Sequence, residues 1–219
     1  DGMDPAGKED DDVDNDGDLD LYLASGSVEL SPFSDFLYDR LFFNKGDGTF
    51  EMSEQKFPAE GIRINTGVVK ASDIDQDGDL DLFVGERNKI GAYGQAGSGY
   101  LLENNGKGNF KEVTNEKAPF LIQMGMLTDA VFNDWDQDGD QDLIIAGEFM
   151  GLEVLENVKG KFNHKKENSL SSFKGWWNTL HALDVDQDGD LDLVGGNHGI
   201  NSRFKASEKH PIKLYLNDF

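Results

Sequence analysis

Cysteine is absent from the 219-residue chain, which excludes a disulfide scaffold, a thiolate metal site and a cysteine nucleophile. No apolar run approaches the roughly 20 residues that a membrane helix needs, so direct membrane insertion is not expected. Positive charge is scarce. Lys and Arg number 20 against 43 Asp and Glu, and the resulting net charge of −23 argues against a nucleic-acid partner or an anionic membrane surface. The chain opens Asp1-Gly2-Met3-Asp4 with no apolar signal-peptide core, and it reads as processed or as a piece of something longer. No G-x-S-x-G, HExxH or Ser/His/Asp spacing is present.

The acid that is present is concentrated. Four nonapeptides, 12–20, 73–81, 134–142 and 184–192, share the pattern D-x-D-x-D-G-D-x-D. They hold 20 of the 43 acidic residues, so the rest of the chain sets 23 acids against 20 bases, an ordinary globular balance. Five carboxylates in nine residues repel one another, and a hard dication offsets that best. Calcium accepts about six to eight oxygen ligands in a flexible shell, whereas magnesium prefers a rigid octahedron and keeps its waters. The candidate ligands are Asp12, Asp14, Asp16, Asp18 and Asp20; Asp73, Asp75, Asp77, Asp79 and Asp81; Asp134, Asp136, Asp138, Asp140 and Asp142; and Asp184, Asp186, Asp188, Asp190 and Asp192. Positions 1, 3, 5 and 9 are expected to use carboxylates and position 7 its backbone carbonyl. Glycine at position 6 (Gly17, Gly78, Gly139, Gly189) permits the sharp turn. An EF-hand would need Glu at position 12, where Leu23, Val84, Ile145 and Gly195 stand. The reading is about four Ca²⁺ ions, one per loop, clamping structure rather than opening a catalytic position.

Short apolar runs bounded by small residues follow each loop: 21–24, 82–84, 143–146 and 193–194. Such runs read as strands buried on both faces. Further apolar stretches precede three loops, at 67–72, 129–133 and 179–183. Leu41-Phe-Phe-Asn-Lys-Gly-Asp-Gly-Thr-Phe50, Leu101-Leu-Glu-Asn-Asn-Gly-Lys-Gly-Asn-Phe110 and Val154-Leu-Glu-Asn-Val-Lys-Gly-Lys-Phe162 read as hairpins, and another begins at Leu214-Tyr-Leu-Asn217. The loops recur after 61, 61 and 50 residues, and a four-stranded unit of that period suggests a β-propeller blade. The expected fold is all-β, an arc of about four blades, with bounds near 1–58 (partial), 59–118, 119–170 and 171–219 (partial). The first blade shows no strand before its loop and the last stops before its fourth strand. Raw strand edges are therefore expected at both ends, covered by further blades or a partner chain.

The loop-plus-strand unit with its L-x-x-N-x-G-x-G-x-F hairpin resembles the FG-GAP/VCBS repeat, which builds calcium-binding propellers such as the head of integrin α chains. Gly125-Met-Leu-Thr-Asp-Ala130, Gly147-Glu-Phe-Met150, Gly175-Trp-Trp-Asn178 and Gly196-Asn-His-Gly-Ile-Asn201 resemble bacterial relatives of cartilage acidic protein. The pattern departs at Gln141, where the other loops have Leu. The resemblance implies calcium ligands at the loop positions given above, a larger ring of about seven blades, and an extracellular or cell-surface location, with the bacterial outer surface or periplasm included. Calcium sites of extracellular modules bind at roughly 10⁻⁴–10⁻³ M, which agrees with that location.

The expected role is non-catalytic: a rigid disc that presents loops to a protein or glycan ligand. The alternative is a polysaccharide lyase, built from Lys70, Arg87 and His181 if they converge. Of the four histidines, His181 reads as an inner-strand residue facing a channel or core, and His198 as a strand-exit residue suited to binding; His164 and His210 carry no motif. Trp176 and Trp177, adjacent on a strand, are expected on opposite faces and between blades. Arg63, Arg87 and Arg203 are the other candidates for ligand contact, with surface or inter-blade pairing the favoured reading for each. The stretch 91–99 is glycine-rich but lacks the Lys-Ser/Thr ending of a phosphate loop, and reads as a long surface connection.

Overall fold

The computed structural model describes residues 11–27 and 29–199. The second, third and fourth acidic nonapeptides form elbows between two antiparallel strands, and the first three are followed by a hairpin. The first blade contains β1 (Leu21–Leu23), β2 (Arg40–Asn44) and β3 (Phe50–Met52) in the order β1-β2-β3. The second contains β4 (Thr66–Ser72), β5 (Asp81–Glu86), β6 (Gly99–Glu103) and β7 (Lys111–Glu112), paired in chain order. The third contains β8 (Met126–Asn133), β9 (Asp142–Met150), β10 (Glu153–Val158) and β11 (Lys161–His164). The fourth shows β12 (Gly175–Leu183) and β13 (Asp192–Asn197). Its expected hairpin at Leu214–Asn217 lies outside the described residues. A single α-helical turn, α1 (Thr114–Lys117), follows β7. The fold is the expected all-β propeller arc.

A trace of the first blade's inner strand is present. Asp11 pairs with Asp20, as Ser72 pairs with Asp81, Asn133 with Asp142 and Leu183 with Asp192. Residues 1–10 lie outside the described residues. The inner strands β4, β8 and β12 each carry a register shift at the same repeat position, around Gly67, Thr128 and Asn178. Neighbouring blades touch there. A Cβ on Gly67 would lie 2.4 Å from the Leu127 carbonyl, so glycine is what permits the approach, and the Thr128 hydroxyl donates to the Trp177 carbonyl at 2.9 Å.

The core lies between blades, because strand residues alternate sides. Leu82 and Val84 pack toward the first blade with Val13, Leu41 and Phe57. Phe83 points the other way, toward Leu127, Leu143 and Ile145 of the third blade. Ile144 in turn packs with Leu180 of the fourth. Each such side chain stabilises the stack by about 1.5–3 kcal/mol when fully buried. Among the described residues the same positions in the first and last blades are more open: Leu21 is 47% exposed and Val194 is 46% exposed. Neighbouring blades also meet at strand ends, where the start of β12 pairs with the end of β9 through Gly175 and Met150.

Candidate metal centres

Every loop has the same internal wiring. The carboxylate at position 1 accepts the backbone N–H of positions 5 and 6: Asp12 from Asp16 and Gly17, Asp73 from Asp77 and Gly78, Asp134 from Asp138 and Gly139, Asp184 from Asp188 and Gly189, all within 2.8–3.2 Å. Glycine at position 6 takes φ between 93° and 100°, a region closed to most side chains. The position-9 carboxylate accepts the N–H of position 2, from Val13, Ile74, Trp135 and Val185. In three blades its other oxygen accepts the N–H of the hairpin asparagine, Asn44, Asn104 or Asn157, at 2.7–2.8 Å.

This wiring draws positions 1, 3 and 9 together. Asp12, Asp14 and Asp20 offer oxygens within 4.8 Å of one another, as do Asp73, Asp75 and Asp81, then Asp134, Asp136 and Asp142, and finally Asp184, Asp186 and Asp192. The position-5 carboxylates, Asp16, Asp77, Asp138 and Asp188, lie outside these triads and accept the N–H of position 7. The position-7 side chains face elsewhere: Asp140 accepts the Lys159 N–H in its own hairpin at 2.9 Å, and Asp18 and Asp79 lie against Gly46 and Gly106.

The triads suit a hard cation. One oxygen each of Asp14 and Asp75, both at position 3, is buried with no hydrogen-bond partner, an arrangement native proteins avoid unless another group satisfies the atom. Burial first, then the neighbouring carboxylates Asp75 and Asp77, push Asp81 up to about 7 despite two N–H donors. Burial likewise raises Asp14, Asp20 and Asp142. An all-oxygen cluster carrying this much unneutralised charge is compatible with Ca²⁺, which these triads would hold.

A family comparison agrees with the geometry. The model described as FG-GAP-like repeat matches residues 12–84 and 134–195. The chain belongs to the FG-GAP-like repeat family. A search of curated proteins finds no match. Both matched FG-GAP segments begin at position 1 of an acidic loop and run into or through the strand that follows it.

Some residues that build the site carried no chemical role in the sequence reading. The hairpin asparagine does more than turn the chain. The Asn104 amide joins the Leu80 carbonyl of its own loop (3.1 Å) to the Val13 carbonyl of the preceding one (2.7 Å), and the Asn157 amide does the same for Gln141 (3.1 Å) and Ile74 (2.8 Å). Its recurrence in every hairpin was the available signal. Lys117 of α1 pairs with Asp75 at 3.2 Å and with Glu103, a contact no local pattern announced.

The other candidates separate. Lys70 lies 3.8 Å from Asp129, which also accepts the Thr179 hydroxyl (2.9 Å) next to His181. Arg87 instead forms an inter-blade pair with the buried Glu148, at 2.5 and 2.9 Å, joined there by the Tyr93 hydroxyl. Tyr93 and the Gly97–Gly125 pairing pin the glycine-rich connection to the third blade. Arg63 pairs with Asp35 at 2.6 Å over the Tyr38 ring, and His164 pairs with Glu153 at 2.7 Å. Arg203 and His210 lie outside the described residues. Trp177 packs between blades and Trp176 stacks between Phe149 and His198, with centroids 5.0 and 4.8 Å away.

Proposed function

We propose that the chain is a calcium-stabilised propeller segment of an extracellular or cell-surface protein, acting as a non-catalytic module that binds a protein or a glycan within a larger surface assembly. The carrying observation is the equivalence of the four triads. Each sits at the same inner elbow, so the cations serve blade geometry four times over rather than one reactive centre. FG-GAP repeats are typical of extracellular interaction modules, and no helix among the described residues is long and apolar enough to cross a membrane.

In this proposal the binding surface is formed by the strand ends opposite the metal loops. Four segments that resemble bacterial relatives of cartilage acidic protein reach this face: the start of β8, the end of β9, the start of β12 and the end of β13. Phe149, Trp176 and His198 stack there, and Tyr93 is 49% exposed. Aromatic side chains with polar tips are suited to recognition. Kinship with those bacterial proteins is part of the same proposal. Lys70 pairs with Asp129 and Arg87 with Glu148, and these pairings support the non-catalytic reading over the lyase.

The test is a screen of the calcium-loaded chain against glycans and surface proteins. A saturable ligand weakened by Tyr93→Ala or Phe149→Ala supports the proposal. Turnover of a polysaccharide to unsaturated sugars would replace it with the lyase.

A further inference from the structure

The metal loops touch one another. Position 4 of each has a left-handed backbone, with φ of 60° at Asn15, 62° at Gln76, 61° at Gln137 and 65° at Gln187. A non-glycine residue stays in that region only when its surroundings hold it. Two of these residues send their side-chain amide onto the next loop. The Gln76 amide donates to the Gly139 carbonyl at 2.9 Å and the Asp140 carboxylate at 2.7 Å. The Asn15 amide donates to the Asp79 carboxylate at 2.9 Å and, more weakly, to the Gly106 carbonyl at 3.4 Å. In the third loop the receiving groups belong to positions 6 and 7, the sharp turn and the residue whose carbonyl is expected at the cation. Gln137 and Asp190 line an opening between the third and fourth loops, and no hydrogen bond joins them.

We propose that Asn15 and Gln76 are positioning residues that couple successive metal sites, so that ordering one loop around its cation raises the cation affinity of the next. The proposal rests on the reading of the loops as calcium sites. A loop closed on its cation holds position 4 in its left-handed turn. The amide then fixes the neighbour's position 7, and that loop has less freedom left to lose when it closes. The coupling is reciprocal, so the third site strengthens the second by the same factor. Repulsion between neighbouring dications opposes this, but the Asp79 and Asp140 carboxylates lie between the loops and offset it.

Terbium titration of the chain, with calcium as competitor, reads the third site. Trp135 is position 2 of that loop, while Trp176 and Trp177 lie at the far end of β12 from its own loop. Gln76 is exposed, so replacing it leaves the core intact. Gln76→Ala is expected to weaken the third site about five-fold or more. Gln76→Glu, which sets a like charge against Asp140, is expected to weaken it further. Gln76→Asn should recover much of the loss, because Asn15 makes the equivalent contact, and Gln187→Ala should change nothing. A purely structural Gln76 would lower the melting temperature without moving the third-site constant. Constants equal within about two-fold in the wild type and Gln76→Ala overturn the coupling and leave calcium in the loops. Absence of any saturable emission overturns both.

Discussion

The second and fourth loops differ at one residue, Ile74 against Val185, yet their environments diverge. In the second, Asp81 is 2% exposed, accepts N–H groups from Ile74 and Asn104, and is pushed up to about 7. In the fourth, Asp192 is half-buried and accepts the Val185 N–H alone among the described residues. Asp79 receives the Asn15 amide of the preceding blade, whereas Asp190 is raised by the neighbouring carboxylate of Asp188. Nine residues suffice to assemble a triad. The neighbouring hairpin and blade decide how deeply it is buried and how firmly it is held before a cation arrives.

Removing the cations should break this contrast most strongly. Chelation is expected to lower the melting temperature by roughly 10 °C or more, since each saturated site adds stability by mass action. Calorimetry over a chelator series should show the fourth loop released before the second. An unchanged transition would eliminate structural calcium.

Single loops come next. Asp81→Asn should destabilise the calcium-loaded chain by about 3 kcal/mol, as it removes a charged ligand and sets an amide NH2 against one of two buried N–H groups, while Asp192→Asn should cost under about 1 kcal/mol. Urea unfolding reads both, and equal losses would mean that tertiary burial does not grade the sites. The hairpin asparagines sharpen the point. Asn157→Ala strands the Ile74 and Gln141 carbonyls and should cost about 2 kcal/mol. Asn44→Ala should cost less, because its amide reaches only the Leu19 carbonyl.

A further effect comes from a carboxylate buried away from the metal loops. Asp39 is pushed up to about 6 by burial, although the Ser25 N–H and the Thr66 and Tyr22 hydroxyls favour its charged form. A raised value means that the protonated form is favoured in the fold. Its stabilisation is present below about pH 4 and lost as pH rises through about 6. Relative to Asp39→Asn, the wild type should lose about 1–2 kcal/mol between pH 4 and 7. The change should be the same with and without calcium; a calcium-dependent change would tie Asp39 to the metal loops.

Much of the fold was legible because strand and loop chemistry is local and repeats four times. The apolar runs at 82–84 and 143–146 became β5 and β9, and the Asn-Gly stretches became hairpins. The site was legible as a set of aspartates, but not how deeply position 9 is held, which in three blades depends on N–H donors supplied by Asn44, Asn104 and Asn157 from another part of the blade. Trp176 shows the same limit. Alternation separated it from Trp177, yet its partners Phe149 and His198 come from β9 and the end of β13.

By itself the amino-acid sequence determined where negative charge gathers and where the chain must turn, since carboxylate repulsion and the glycine turn at position 6 act within nine residues. Only the tertiary structure decided which carboxylates are desolvated and which amides cross from one blade to the next. Those properties arise from stacking one sheet on another, which no single repeat encodes.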